Sequence, residues 1–441
     1  MFENIIEQSA VIQLRDDILS KRDAPSMLFF GPSGSGKGSA ALELARSLSC
    51  EEKADWKCKC SSCTQHRFLQ HDDLLILGER SFSPEILACQ KAFQRNTSNV
   101  TRLLFFRSLR KLQIRFSPVL MENDSKTAKA AASNLQSLDE GLNELLLINV
   151  ETAGEAALNK LCATLVKDAL ALESEGINGV PISHIRSASY WCRLAPNGRR
   201  KTLIIENAEI MRDDARNSLL KLLEEPPSSV SIVLTAQRRE AIMQTILSRL
   251  RPYRFLRRSA ESEKEVIRRV FQEKSELNYI NKKGSILASY LDSFLPQSAE
   301  KLYPLAAWFI VSFARTASIY AKSRGHIPAF LIALGEQYAP AAETAGLERY
   351  SKNSAIVKAI LNQSKNFEEV SFSRFMSITM ELIGDCLRSA GDPLFIAYND
   401  MVKKYVNEAV TSVDVLNINA AITLENLLYK LKTAALRGRY G

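Results

Sequence analysis

The stretch MLFFGPSGSGKGSAALELA, residues 27–45, decides how the chain is read. A short apolar run, Ser26 to Phe30, ends at Gly31, and a helical pattern resumes from Ala40 to Leu48. Strand, glycine-rich loop and helix in that order is the setting of a phosphate-binding loop. In such a loop backbone N–H groups and the helix N-terminus surround the phosphate oxygens, and a lysine reaches the β- and γ-phosphates. Gly31, Pro32, Ser33, Gly34, Ser35, Gly36 and Lys37 supply the cradle and the charge. The next position departs from the pattern: Gly38 stands where a Ser or Thr hydroxyl would ligate Mg²⁺. Ser39 comes one residue late, about 100° further round the helix, and points elsewhere. Without a ligand the same segment reads as a Gly-rich turn.

Three further apolar runs read as buried strands: DDLLILG (72–78), KTLIIENAE (201–209) and SVSIVLTA (229–236). Val11, Leu14, Ile18 and Leu19 mark a helix over 11–21. Strands alternating with helices predict an α/β core built on a parallel, doubly wound sheet. The Ala/Leu-rich section from Lys126 to Glu175 predicts two or three long helices inserted within it. Beyond about residue 258 the patterns are helical to the end, with breaks expected at Pro296, Pro304, Pro328, Pro340 and Pro393.

A metal-assisted phosphate loop needs an acid at the end of a neighbouring strand, and hydrolysis needs a base after it. Here the pair is Glu206-Asn207. Glu206 can serve a metal from a longer arm, but Asn207 cannot accept a proton. Loss of a general base costs about 10²- to 10⁴-fold in rate. Gly31 to Ser39 with Glu206 therefore form a degenerate candidate nucleotide site: ATP or ADP binding is possible and hydrolysis is not expected.

The segment MRDDARNSLLKLLEEPPSSVSIVLTAQRREAIMQTILSRLRPYRF (211–255) adds a helix with Leu219, Leu220, Leu222 and Leu223 toward the core. Asp213 or Asp214 is expected at its cap and Pro226-Pro227 at its stop. Together with GRRKTLIIENAE before it and FENIIEQ at the N-terminus, this resembles the AAA+ core of bacterial DNA polymerase III clamp-loader subunits. The resemblance covers residues 1 to about 78 and 180 to 258. It is weak beyond 258 and absent from the insertion. It implies an AAA+ core over 1–257, with a zinc module at about 50–66 and a helical insertion at about 79–180. A helical lid over 258–303 and a helical collar over 304–441 would follow. The gamma/tau kind is the ATPase motor, with a loop threonine and an Asp-Glu pair; the delta-prime kind is the degenerate copy. Gly38 and Asn207 put this sequence with the delta-prime kind, although Lys37 is retained. A sensor threonine after the fourth strand would be Thr235 in one register and is replaced by Ala236 in the better one.

The resemblance also implies that Ser248-Arg249 supplies an arginine finger to a neighbouring subunit's site. Read from the residues alone, Arg249 is a surface salt-bridge former, and Arg251 and Arg254 are solvated or DNA-facing charges. The partners implied are the gamma/tau and delta subunits of a heteropentamer, and through it a sliding clamp and primed DNA.

Four of the eight cysteines crowd together as Cys50, Cys58, Cys60 and Cys63, spaced Cys-x7-Cys-x-Cys-x2-Cys. In a reducing compartment such crowding favours a metal over disulfides. The resemblance implies a structural Zn²⁺ here, one residue shorter between the second and third ligands than the family pattern. His66, three residues past Cys63, is a reserve ligand.

Residues 100–117, VTRLLFFRSLRKLQIRFS, hold Arg102, Arg107, Arg110, Lys111 and Arg115 with no acid. As a helix this is basic on one side and apolar on the other. It suits a grip on DNA phosphates, a partner helix or a lipid surface, or simply a packed helix with a solvated basic face.

Hydrophobic residues make up 46% and charged residues 24%, ordinary for a globular chain, and the net charge of +9 permits an acidic partner without requiring one. No unbroken apolar run approaches the roughly 18 residues of a membrane span. MFENIIEQSAVIQLRDD lacks a basic-then-apolar leader pattern, so a cytoplasmic protein without membrane partners is expected. The leading expectation is a non-hydrolysing clamp-loader subunit. The alternatives are an active gamma/tau-like ATPase and a nucleotide-regulated DNA-binding protein using the zinc and the basic segment.

Overall fold

The computed structural model describes residues 1–441 except 21, 23, 176–179, 275–284, 296–298, 323–326, 349–351, 365–366, 368–371, 391–392, 416–417 and 438–441. Helix α1 (Ser9–Leu19) leads into β1 (Ser26–Phe30) and α2 (Lys37–Ser49). A short α3 (Ser61–Arg67) precedes β2 (Leu74–Gly78). The insertion follows as α4 (Ser83–Arg95), α5 (Asn99–Gln113), α6 (Pro118–Met121), α7 (Ser125–Leu147) and α8 (Glu155–Ser174). Then come α9 (Ile182–Arg193), β3 (Lys201–Glu206), α10 (Asp213–Glu224), β4 (Val230–Ala236), α11 (Gln244–Leu247) and β5 (Arg251–Arg254).

The five strands form one sheet in the order β2-β3-β4-β1-β5, and every pairing is parallel. Its inner strands β3 and β4 are buried along their whole length, and β1 up to Phe30, because helices cover both faces, which is why they read as near-continuous apolar runs. The register Phe30↔Ala236 and Gly78↔Glu206 lines up the C-terminal ends of the strands, where ligands of such sheets collect. This α/β core followed by many helices is the fold class expected from the sequence.

The fifth strand was not among the sequence expectations. Its four residues, RPYR, show no apolar run, and pairing is carried by Tyr253, fully buried against Phe29 with ring centroids 5.7 Å apart. Asp213 and Asp214 lie in the first turn of α10 rather than at its cap, which is Arg212. Leu220 is only half-buried, while Leu219, Leu222 and Leu223 reach the core.

By compactness the chain falls into two units, Met1–Leu291 and Asp292–Gly441. The first also holds α12 (Ala260–Val270) and nearly all of α13 (Ile286–Asp292). The second contains α14 (Ala299–Lys322), α15 (Ala329–Glu343), α16 (Asn353–Gln363), α17 (Phe372–Ala390), α18 (Pro393–Val410) and α19 (Ala420–Arg437) around one apolar core. Pro304 and Pro340 do not break their helices as expected but lie inside α14 and α15. Burial of neighbours such as Leu302, Leu305, Tyr338 and Ala342 offsets the hydrogen bond each proline removes. Pro393 opens a helix, and Pro296 lies outside the described residues. Among the described residues one helix, Leu302–Lys322, is long and apolar enough on average to cross a membrane; 67% of its most apolar window is buried inside the protein. Mean hydropathy is a looser test than an unbroken apolar run, so this helix passes where the sequence offered none.

Candidate functional site

The phosphate-type loop leaves β1 at Gly31 and enters α2 at Lys37. Gly31 has φ of +149°, and a Cβ there would lie 2.1 Å from the carbonyl oxygen of Phe255, so no other residue fits. The Lys37 side chain is buried and turned back on its own loop, donating from Nζ to the carbonyls of Gly31 (2.6 Å) and Pro32 (2.8 Å). Burial pushes its ammonium down to about 8, with Glu209 and Glu206 acting in the opposite direction. Ser35 Oγ donates to the Pro32 carbonyl (2.7 Å). Arg258 comes from beyond β5 and donates to the carbonyls of Gly34 (3.2 Å), Ser35 (3.3 Å) and Ile6.

Glu206 ends β3 beside this loop. A Cβ built on Gly38 would stand 3.0 Å from Glu206 Oε1, so the carboxylate itself lies against the position of the missing hydroxyl. Two guanidinium groups hold Glu206: Arg115 Nη2 bonds Oε2, and Arg80 Nη1 lies 3.6 Å from Oε1. Burial acts to raise the Glu206 carboxyl; Arg115, Arg80 and Lys111 outweigh it and hold the group below the usual carboxylate range. Arg80 and Lys111 also pair with Glu85 on α4. Asn207 takes a left-handed conformation at φ of 51°. Its N–H donates to Thr235 Oγ1 (3.1 Å) and its Nδ2 to the Glu79 carbonyl (2.7 Å). Ala236 follows as the last residue of β4.

Arg115 belongs to the basic segment, and the structure corrects the expectation that this segment offers a solvated or DNA-gripping face. Arg102 donates to the carbonyls of Leu146 (3.2 Å) and Ile148 (2.7 Å). Arg107 donates to those of His66 (3.4 Å) and Arg67. Arg110 bonds Gln113 and the Leu69 carbonyl (3.3 Å). Arg107, Arg110 and Arg115 thus stitch the insertion to the core, while Arg102 and Lys111 tie α5 to α7 and α4 within it.

Ser248 and Arg249 follow α11 at the surface. Arg249 Nη1 donates to the Thr245 carbonyl (2.5 Å) and Ser248 Oγ (3.2 Å), and Nη2 pairs with Glu224 at 2.7 Å. Both partners of that pair are partly exposed. Arg251 is tied down by Asp17 (2.6 Å) and the Arg22 carbonyl (2.9 Å), whereas Arg254 is exposed.

Cys50, Cys58, Cys60 and Cys63 bring their sulfurs within 4.8 Å of one another. Cys50 Sγ is 3.7 Å from Cys58 Sγ and 4.0 Å from Cys60 Sγ, against about 3.8 Å between sulfurs of a tetrahedral Zn–S₄ centre. Backbone N–H groups point at these sulfurs: Ala54 at Cys50 (3.2 Å) and Cys63 at Cys60 (3.4 Å). The Arg46 guanidinium, paired with the buried Glu43 carboxylate at 2.7 Å, also lies 2.9 Å from Cys63 Sγ and donates to it. The four residues fit a tetrahedral thiolate-bound metal. His66 is outside this set, with its ring stacked on His71 at 4.2 Å.

The family described as "DNA polymerase III, delta subunit" matches residues 6–259, more than half of the chain. The chain belongs to this family. No curated protein matches it. A solved structure described as a DNA polymerase III, gamma subunit-related protein from Thermotoga maritima is similar at 14% identity and a TM-score of 0.40. The match covers 96% of this chain and 99% of that one.

In this DNA polymerase III delta family member, the loop residues Gly31 to Ser39 and the acid Glu206 are brought together, and the four cysteines form one cluster. Arg249 lies on the surface rather than at the chain's own loop. Sequence reasoning missed Arg80 and Arg258, and it named Arg115 only as a cation of the basic segment, not as the partner of Glu206. Arg115 is 91 positions from its carboxylate partner, and no motif spacing announces such a pair.

Proposed function

We propose that this clamp-loader family chain is its delta-prime-like, non-hydrolysing subunit. It would present Arg249 to the nucleotide site of an adjacent ATPase subunit, so that a sliding clamp is loaded on primed DNA. The observation that carries the reading is the Glu206 arrangement. The carboxylate that would hold Mg²⁺ lies against Gly38 and is neutralised by Arg115 and Arg80. Asn207 offers no base and is fixed by the Glu79 carbonyl. Hydrolysis by this chain would require breaking a buried ion pair and still lack a hydroxyl ligand.

Support for the finger is its low cost of release. Arg249 is held by a partly exposed pair with Glu224, and such pairs contribute about 0–1 kcal/mol. A guanidinium reaching a triphosphate in trans stabilises charge developing on the γ-phosphate, with about 10³- to 10⁵-fold effect. Ser248 would hold the arginine's approach through its hydroxyl.

Zn²⁺ on Cys50, Cys58, Cys60 and Cys63 would be structural, with all four positions filled by protein. It would tie the end of α2 to the start of α3 and supply roughly 10 kcal/mol or more of local folding energy. In this reading 1–257 is the nucleotide-type core, 258–303 a lid and 304–441 a collar that joins gamma/tau and delta subunits in a heteropentamer.

The test is ATP turnover by the purified chain with and without primed DNA. No turnover above background is expected in either condition. Steady DNA-stimulated turnover would overturn the reading in favour of a gamma/tau-like motor.

A further inference from the structure

Arg46 lies on α2 three residues beyond Glu43, and both side chains are buried. A guanidinium carries five N–H donors in a fixed plane. Two contacts go to the Glu43 carboxylate, Nε to Oε2 (2.8 Å) and Nη2 to Oε1 (2.7 Å). Three more reach the cysteine module. Nη2 donates to the Ala54 carbonyl (3.0 Å), and Nη1 donates to the Asp55 carbonyl (3.2 Å) and to Cys63 Sγ (2.9 Å). Glu43 already balances the charge of Arg46, so what the arginine offers the module is placement. One side chain fixes the backbone at residues 54 and 55 and aims an N–H at the sulfur of Cys63.

Glu43 has a further donor. Its Oε1 accepts the backbone N–H of Phe2 (3.2 Å). Phe2 takes a left-handed conformation, φ of 64°, which a bulky residue adopts only where its surroundings hold it. Phe2 and Ile5 are buried in one core with Ala40 and Leu44 of α2, while Met1 packs against Cys50, Ala54 and Cys63. Residues 1–6 therefore meet the cysteine module twice: directly through Met1, and through Phe2, Glu43 and Arg46. At the end of this segment the Ile6 carbonyl shares Arg258 with the carbonyls of Gly34 and Ser35 in the phosphate-type loop.

We propose that Arg46 is the positioning residue of the cysteine-bound metal and that, through Glu43, it makes the seating of residues 1–6 depend on that metal. This role rests on the zinc assignment and adds to it a residue outside the ligand set and a segment under its control. Partners just outside a ligand set hold it in the geometry the metal needs, and their loss costs about 10- to 100-fold in metal affinity.

Zinc affinity of the full chain is read by competition with a chromophoric chelator, and Co²⁺ in place of zinc reports the sulfurs through its charge-transfer band. Arg46→Met alone strands the buried Glu43 carboxylate, so it is combined with Glu43→Gln, which keeps an acceptor for Phe2. The double variant should fold in saturating zinc, bind zinc about 10- to 100-fold more weakly, and move the Co²⁺ band to lower energy as Cys63 loses its donor. Arg46→Lys keeps a charge opposite Glu43 but lacks the planar fork, and should lose affinity as well. Hydrogen exchange of residues 1–8 needs no variant. It should speed up by at least about tenfold when zinc is chelated from wild type, with α15 unchanged as the internal control. The zinc-loaded double variant should exchange these residues as fast as chelated wild type. Wild-type zinc affinity in either variant as a folded chain, or exchange of residues 1–8 indifferent to zinc, would overturn the proposal and leave the zinc assignment standing. A chain that takes up no zinc would overturn both.

Discussion

At the scale of single residues, Lys37 in the phosphate-type loop and Glu206 beside it are both held by the chain's own groups. Lys37 spends its ammonium on the carbonyls of Gly31 and Pro32, and burial holds its pKa at about 8, below the 10.5 of a free lysine. Between those values the unfolded chain binds more protons than the folded one, so Lys37 makes stability rise with pH across that window and leaves it flat below. Comparison of wild type with Lys37→Met by chemical denaturation from pH 7 to 10.5 should show wild type gaining up to about 3 kcal/mol relative to the variant. A difference that does not change with pH would contradict the buried ammonium. Glu206 makes the complementary case. Arg115→Met leaves this carboxylate buried with Arg80 at 3.6 Å as its remaining ion-pair partner and should cost about 3–5 kcal/mol. Adding Glu206→Gln should restore most of that loss, because the cost lies in the unpaired charge. A double variant as unstable as the single one would mean the arginine acts through packing instead.

At the scale of elements, the cysteine module and α5 show what the sequence could and could not convey. The spacing of Cys50, Cys58, Cys60 and Cys63 announced a cluster, because close cysteines in a short loop have few other uses, and the sulfurs do converge. Elemental analysis should find about one zinc per chain, lost in Cys60→Ser together with early melting of the first unit; a metal-free chain of full stability would refute the assignment. The strands carrying Met27 to Phe29, Leu74 to Leu77, Leu203 to Ile205 and Ile232 to Leu234 were readable because both faces of a parallel sheet demand apolar side chains. The last strand was not, since Arg251, Pro252 and Arg254 mask the single buried Tyr253. The amphipathic character of α5 was readable too, but not the destination of its cations. Periodicity separates polar from apolar faces; it does not tell a solvated arginine from one bonded to a buried carbonyl or carboxylate. Arg107→Ala is therefore expected to lower the Tm of the chain while leaving its DNA affinity and salt dependence unchanged. A weaker, flatter salt response in a DNA-binding titration would restore the DNA-facing reading.

At the scale of the whole molecule, the chain consists of one unit built on the α/β core and one all-helical unit, to which the proposed reading gives assembly. In the α/β core Glu206 lies against Gly38 and is paired with Arg115 and Arg80, which on the proposed reading closes the metal position. On the proposed reading such a chain serves a neighbour from its surface, through Arg249. The most direct measurement is ATP turnover by the reconstituted complex carrying Arg249→Ala, with native mass recorded in parallel. The account predicts a complex of unchanged mass, an isolated variant within about 1 kcal/mol of wild-type stability, and turnover at the adjoining site reduced by about 10³-fold or more. An intact complex that hydrolyses ATP at the wild-type rate would contradict it.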